Sequence, residues 1–175
     1  IWANPKKLKA LLAQLAPLGT EFRDLFLRSG GIAQVPKDPR QVQTIIAEKG
    51  VPIVWSFIGL QQGVMFAYPG KTGYPKDFDP RKRPWYALGT SKPGLAWGNP
   101  YADALGTGLL LPSAMALRSD SGALLGVAGV ECTFDYIIEN LMTLPGMPAV
   151  RTTYIVDDQA RIVVSSDRSE ERRVG

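Results

Sequence analysis

The sequence predicts an α+β fold: one antiparallel sheet with an apolar helix covering one of its faces. Three observations carry this reading. Residues 4–31 place apolar side chains at helical spacing. Residues 51–133 change to strand-like apolar runs separated by tight turns, and a further helical run occupies residues 134–144.

The first run, "NPKKLKALLAQLAPLGTEFRDLFLRSGG", starts with Asn4 as N-cap and Pro5 at the first helical position. Leu8, Leu11, Leu12, Leu15, Leu18, Phe22, Leu25 and Phe26 form its apolar stripe, which belongs to the core or to a dimer seam. Pro17 should kink or divide this helix, and Gly30 and Gly31 should end it. "DPRQVQTIIAEKG" reads as a second short helix, with Asp38 as cap, Pro39 first and Gly50 as stop. "VPIVWSFIGL" and "VMFAYPG" are strands joined by the tight turn "QQG". In "DFDPRKRPWYALG", Asp79 can cap a short helix that starts at Pro80. "LAWGNPYA" reads as one short strand, and "GTGLLLPSAMALRS" and "ALLGVAGVECT" as a long hairpin about "DSG". "FDYIIENLMTL" is a helix capped by Thr133, and "RTTYIVDD" with "ARIVVSS" makes a last hairpin about Asp158 and Gln159. This order is that of a PAS-like or profilin-like domain, and the closing hairpin is expected to start a second module.

Composition narrows the chemistry. The 175 residues are 45% hydrophobic and 21% charged, ordinary globular values that leave room for one full domain. The net charge of +4 is spread from Lys6, Lys7 and Lys9 to Arg172 and Arg173, so a nucleic-acid partner is not expected. With no histidine and one cysteine, Cys132, the chain offers no usual zinc site, no imidazole base and no internal disulfide. No cofactor is expected. No apolar run reaches the ~20 residues of a membrane helix. The chain starts without methionine and ends at "SEERRVG", as expected of a piece of a larger protein.

"DFDPRKRPWYALG" is the densest chemical segment. The guanidinium of Arg83 is a planar fork that matches both oxygens of a carboxylate. Trp85 adds an indole N–H and Tyr86 a hydroxyl, so the three can form a carboxylate cradle. Tyr101 and Asp103 in "WGNPYADALGTG", and Glu131 on the last long strand, can supply an opposite, anionic pole. Such a pair of poles suits a small zwitterion. Each residue also has a plainer role. Arg83 can pair with Asp79 or stack on Trp85, and Trp85 and Trp97 can be packing residues. Asp103 can be a turn residue, Glu131 a cap or salt-bridge partner, and Cys132 a buried apolar group. A hydrolase built on Asp103 and Glu131 lacks an activated nucleophile, so no enzymatic activity is expected.

"FIGLQQGVMFAYPG", "DFDPRKRPWY", "GNPYADALGTGLLLPSAMAL" and "GALLGVAGVECTFDYI", in this order, resemble the double Cache (dCache) family. These are extracytoplasmic sensor domains of bacterial chemoreceptors, histidine kinases and nucleotide cyclases, with related modules in calcium-channel auxiliary subunits. The resemblance runs from about Val51 to Leu141. It implies a long stalk helix over residues 1–30, a membrane-distal ligand-binding module over 31–145, and the incomplete start of a membrane-proximal module over 146–175. It further implies a membrane-anchored full-length receptor, a periplasmic location, and a possible homodimer through the amino-terminal helix.

Within that family an amino-acid-binding subset has a motif that falls on Arg83, Trp85 and Tyr86 for the carboxylate and on Tyr101 and Asp103 beyond it. The chain departs from the motif twice. A tyrosine of the motif is Phe78 here, without a hydroxyl, and an aspartate is Glu131, one methylene longer. Each change could weaken ammonium binding by about 1–3 kcal/mol. The resemblance therefore implies a small carboxylate ligand, an amino acid or a secondary or methylated amine derivative, with the Arg-Pro-Trp-Tyr segment as lid and cradle. A structural or interaction module with no small-molecule ligand is the alternative.

Overall fold

The computed structural model describes the chain except residues 1–4, 39, 43, 46–50, 71–72, 104–107, 158 and 168–175. The expected amino-terminal cap, Asn4, and the expected helix stop, Gly50, lie outside the described residues. Pro17 divides the first helical run in two, α1 (Pro5–Leu15) and α2 (Leu18–Ser29). It lacks the N–H that would continue the ladder, and its ring crowds the preceding turn. Gly31, at φ +78°, closes α2 by donating its N–H to the Arg28 carbonyl at 3.0 Å. Helical backbone recurs at residues 40–42 and 44–45, with Asp38 accepting from the Arg40 N–H at 2.9 Å.

The main sheet has the order β2-β1-β6-β5-β3, with β4 also on β5. Its strands are β1 (Ile53–Leu60), β2 (Met65–Tyr68), β3 (Ala96–Trp97), β4 (Tyr101–Ala102), β5 (Leu109–Arg118) and β6 (Leu124–Thr133). All pairings are antiparallel. Gly63, at φ +81°, lets the Gln61–Gly63 turn close β1 onto β2. "LAWGNPYA" is two strands rather than the single one expected. Pro100 cannot donate to a ladder, so the edge opens at Gly98–Pro100 and resumes at Tyr101. Pro112, within β5, accepts the Gly98 N–H at 2.9 Å, so its donorless nitrogen faces that interruption.

The two faces divide by strand alternation. Ile58, Leu60 and Val64 pack beneath Leu8, Leu11 and Leu15 of α1 and Leu18 and Phe22 of α2, while Phe26 and Leu27 join Val42 in a neighbouring cluster. Leu12 and Leu25, expected in the apolar stripe, are exposed instead, and Leu27 takes an inner position. The opposite face carries Trp55, Phe57 and Gly59 of β1 in register with Glu131, Gly129 and Val127 of β6. A bulge between Ile53 and Trp55 sets that register.

Over this second face lie a 3₁₀ turn (Pro80–Lys82) and helix α3 (Pro84–Ser91), two elements where one short helix was expected. Thr133 caps α4 (Phe134–Ile137) as expected, and the helix continues as a π turn through Met142. A separate two-stranded sheet, β7 (Tyr154–Val156) with β8 (Ile162–Ser165), packs Val164 against Ile137, Ile138 and Met142.

Helix α3 reaches the sheet through glycines. Trp85 is 2% exposed and tilts against Phe57 at 4.5 Å between ring centroids. A Cβ on Gly59 would stand 2.4 Å from the Trp85 indole. Gly59→Ala is therefore expected to displace the indole and lower stability by about 1–3 kcal/mol, measured by urea denaturation. An unchanged midpoint would show that the indole is not seated on this glycine.

Candidate functional site

Asp79 caps the 3₁₀ turn by accepting the Arg81 N–H at 3.0 Å, and its carboxylate also takes the Arg81 guanidinium, Nη2 to Oδ2 at 2.7 Å. This pairing, expected as one option for Arg83, is thus made by Arg81. The Asp79 carboxyl is held down at about 2, chiefly by that side-chain hydrogen bond. Arg83 itself is extended, at φ −83° and ψ 149°, because the following Pro84 disfavours helical backbone there. That one extended residue separates the two helical pieces and turns its side chain away from Arg81. Its guanidinium lies 5.9 Å from the Phe78 ring centre and 5.6 Å from that of Tyr101. Among the described residues it has no ion-pair partner.

Arg83 lines a cavity of about 30 Å³ with Trp55, Phe57, Met65, Tyr74, Phe78, Trp85, Tyr101, Asp103 and Glu131. Six of the seven residues singled out from the sequence therefore meet at one place: Phe78, Arg83, Trp85, Tyr101, Asp103 and Glu131. Tyr86 does not line it; one residue further along α3, it turns into the cluster with Phe57, Ala114 and Val127. Its hydroxyl is buried with no hydrogen-bond partner among the described residues, and burial pushes its titration up. The Arg-Pro-Trp-Tyr segment is a wall anchored in the core, not a lid.

Beyond the Tyr101 ring the cavity wall is acidic and buried. Glu131, 5% exposed on β6 between Trp55 of β1 and Pro112 of β5, accepts a short hydrogen bond from the Tyr101 hydroxyl. Burial raises its carboxyl to about 8, with Arg83 pulling weakly the other way. The charge that the longer side chain carries is thus suppressed near neutral pH. Asp103 donates its N–H to the Gly108 carbonyl at 2.9 Å, and it lines the cavity. Tyr74 packs on Phe78 at 4.6 Å between centroids, and burial followed by the charges of Asp103 and Glu131 raises its hydroxyl.

Trp55, Phe57, Met65 and Tyr74 are lining residues that the sequence did not single out. Trp55 and Phe57 alternate toward one face, a signal that becomes specific once β1 is registered on β6. Tyr74 sits in a Gly-Pro-Lys loop with no periodic signal. Met65, Tyr74 and Phe78 also form one wall of a larger groove, about 500 Å³, that runs to Leu8 and Leu12 of α1.

No protein-family model matches the chain. It is similar to the methyl-accepting chemotaxis protein PscA of Pseudomonas syringae pv. tomato, 27% identical over 91% of this chain and 27% of that protein. It is also similar to McpG of Pseudomonas putida, 24% identical over 92% of this chain and 26% of that protein. The chain spans about a quarter of the length of these curated relatives. Among solved structures, the ligand-binding domain of the amino-acid chemoreceptor PctB of Pseudomonas aeruginosa, in complex with L-Gln, superposes with a TM-score of 0.60 at 22% identity, over 90% of this chain and 69% of that one. That of the chemoreceptor CtaA of Pseudomonas fluorescens, in complex with L-serine, gives 0.58 at 24% identity, over 92% and 74%. The fold is that of chemoreceptor ligand-binding domains, the mixed helix and antiparallel sheet expected from the sequence.

Glu131 ties the site to pH. Its folded-state value is raised, so between about 4.5 and 8 the folded chain holds a proton that the unfolded chain has released. Stability should accordingly fall as pH rises through that window, by up to ~1.4 kcal/mol per unit, and level off above it. Glu131→Gln should flatten this slope in chemical denaturation at pH 5, 6.5 and 8. The same slope in both proteins would place the proton on another group.

Proposed function

We propose that the chain is the extracytoplasmic ligand-sensing domain of a bacterial transmembrane chemoreceptor, and that it binds a small carboxylate-bearing ligand without transforming it. The observation that carries this is Arg83: a guanidinium wedged between two aromatic rings at one end of a cavity, with no acidic partner among the described residues. Half-burying a cation without a partner is unfavourable in a purely structural role. An incoming carboxylate would satisfy both arms of the fork. Phe78, Trp85 and Tyr101 wall the same site, and Asp103 and Glu131 face the other end of the ligand. Solved structures of similar fold hold L-serine or GABA, each a carboxylate with an amine.

The chain spans about a quarter of its relatives, which leaves room for the rest of a receptor. Residues 1–30 would be the stalk helix, 31–145 the membrane-distal module, and 146–175 the entry to a membrane-proximal one. No helix among the described residues is long and apolar enough to cross a membrane, so anchoring would fall to other parts of the receptor. Leu12 and Leu25, exposed on the amino-terminal helices, are the residues a homodimer through that region would cover. Binding would shift the population between two arrangements of helix and sheet and so reach a cytoplasmic output.

The cavity volume supports one other reading. About 30 Å³ holds roughly two water molecules, as in an interaction module whose pocket is filled by its own side chains. A thermal-shift screen of amino acids, N-methylated amino acids, organic acids and amines separates the two. At a hundredfold excess over Kd a ligand should add ~2.7 kcal/mol, a rise of a few degrees, and Arg83→Ala should abolish the rise. Shifts that persist in Arg83→Ala, or no shift with any compound, would favour the interaction module.

A further inference from the structure

The two ends of the cavity are chemically unlike. Arg83 supplies the fork, and the rest of the lining is Met65, the carboxyl groups of Asp103 and Glu131, and six rings: Trp55, Phe57, Tyr74, Phe78, Trp85 and Tyr101. A primary ammonium brings three N–H donors, each of which needs an acceptor once water is excluded. Asp103 offers one carboxylate to share among them. Tyr101 and Glu131 are already bonded to each other, and Phe78 contributes none. A fully methylated ammonium has no N–H to satisfy, and its charge is spread over methyl groups that favour aromatic faces.

Resting on the carboxylate-sensor reading, we propose that the preferred ligand is an N,N,N-trimethylammonium carboxylate, a betaine, with its carboxylate on Arg83 and its methyl groups among the six rings. Asp103 supplies the countercharge. The Tyr101–Glu131 bond stays closed and forms part of the floor. Burial keeps Glu131 protonated near neutral pH, so it brings no second charge to this end. Room comes from the opposite wall. Met65, Tyr74 and Phe78 separate the cavity from the 500 Å³ groove beside α1, and an outward swing of the Tyr74–Phe78 pair would join the two spaces. Methionine and two exposed-edge rings are among the side chains best able to make such a move.

The test is calorimetric titration of the chain with three matched pairs: glycine, L-alanine and 4-aminobutanoate, each against its N,N,N-trimethyl form. The trimethyl form of at least one pair should bind tenfold or more tightly than its primary amine. Choline, which has the cation but no carboxylate, should bind more weakly than that betaine and be insensitive to Arg83→Ala. Trp55→Ala and, as a second variant outside the core clusters, Tyr74→Leu should each reduce betaine affinity tenfold or more. Primary amines binding as tightly as their trimethyl forms, with loss in Arg83→Ala, would overturn the betaine assignment and leave the carboxylate sensor standing. Binding of none of the six compounds would overturn the betaine assignment, and the wider thermal-shift screen would then decide the carboxylate sensor.

Discussion

The seat of Trp85 on Gly59 and Phe57 is the contact on which the site depends. An indole pressed to within van der Waals distance of a strand backbone fixes how closely α3 lies on the sheet. The start of α3 fixes Pro84, and Pro84 fixes the extended backbone of Arg83 before it. The carboxylate fork is therefore positioned by the core and not by a surface loop. A site tied in this way keeps its geometry when side chains around it move, which is what preorganised recognition needs.

A second constraint is the division of labour between two arginines two residues apart. Asp79 is committed to Arg81 by a cap and a bidentate pair, so among the described residues Arg83 is left with rings in place of a counter-ion. The arrangement concentrates positive potential inside the cavity while the neighbouring surface pair is neutralised. At the other pole, the additional methylene of Glu131 brings its carboxyl against Tyr101 in a dry setting, where neutrality is favoured over charge. One end of the cavity is thus strongly cationic and the other only partly anionic.

Much of the fold was legible in the sequence, and the reasons differ by element. The β1–β2 and β5–β6 hairpins announced themselves through "QQG" and "DSG", which need few tertiary contacts to act. Pro17 signalled a break but could not say whether the helix would kink or divide; packing of both halves on one face decided that. "LAWGNPYA" misled because the cost of Pro100 at an edge depends on what its neighbour strand requires. Leu12 and Leu25 belonged to a stripe broader than the surface available to cover. For the site, the residues with chemistry of their own, Arg83, Asp103 and Glu131, were visible as motifs. Trp55 and Phe57 became visible only with the β1–β6 register. Tyr86 lies outside the lining because neighbours on a helix point about 100° apart, and here Trp85 takes the position toward the cavity.

The central claim is that Arg83 is the anchor for a ligand carboxylate. It is tested most directly by nuclear magnetic resonance of the arginine Nε–Hε groups during titration with acetate and with glycine betaine. The account expects a saturable shift of the Arg83 resonance with both compounds, and none for Arg81, which Asp79 already holds. An Arg83 resonance that stays fixed while another group responds would contradict it.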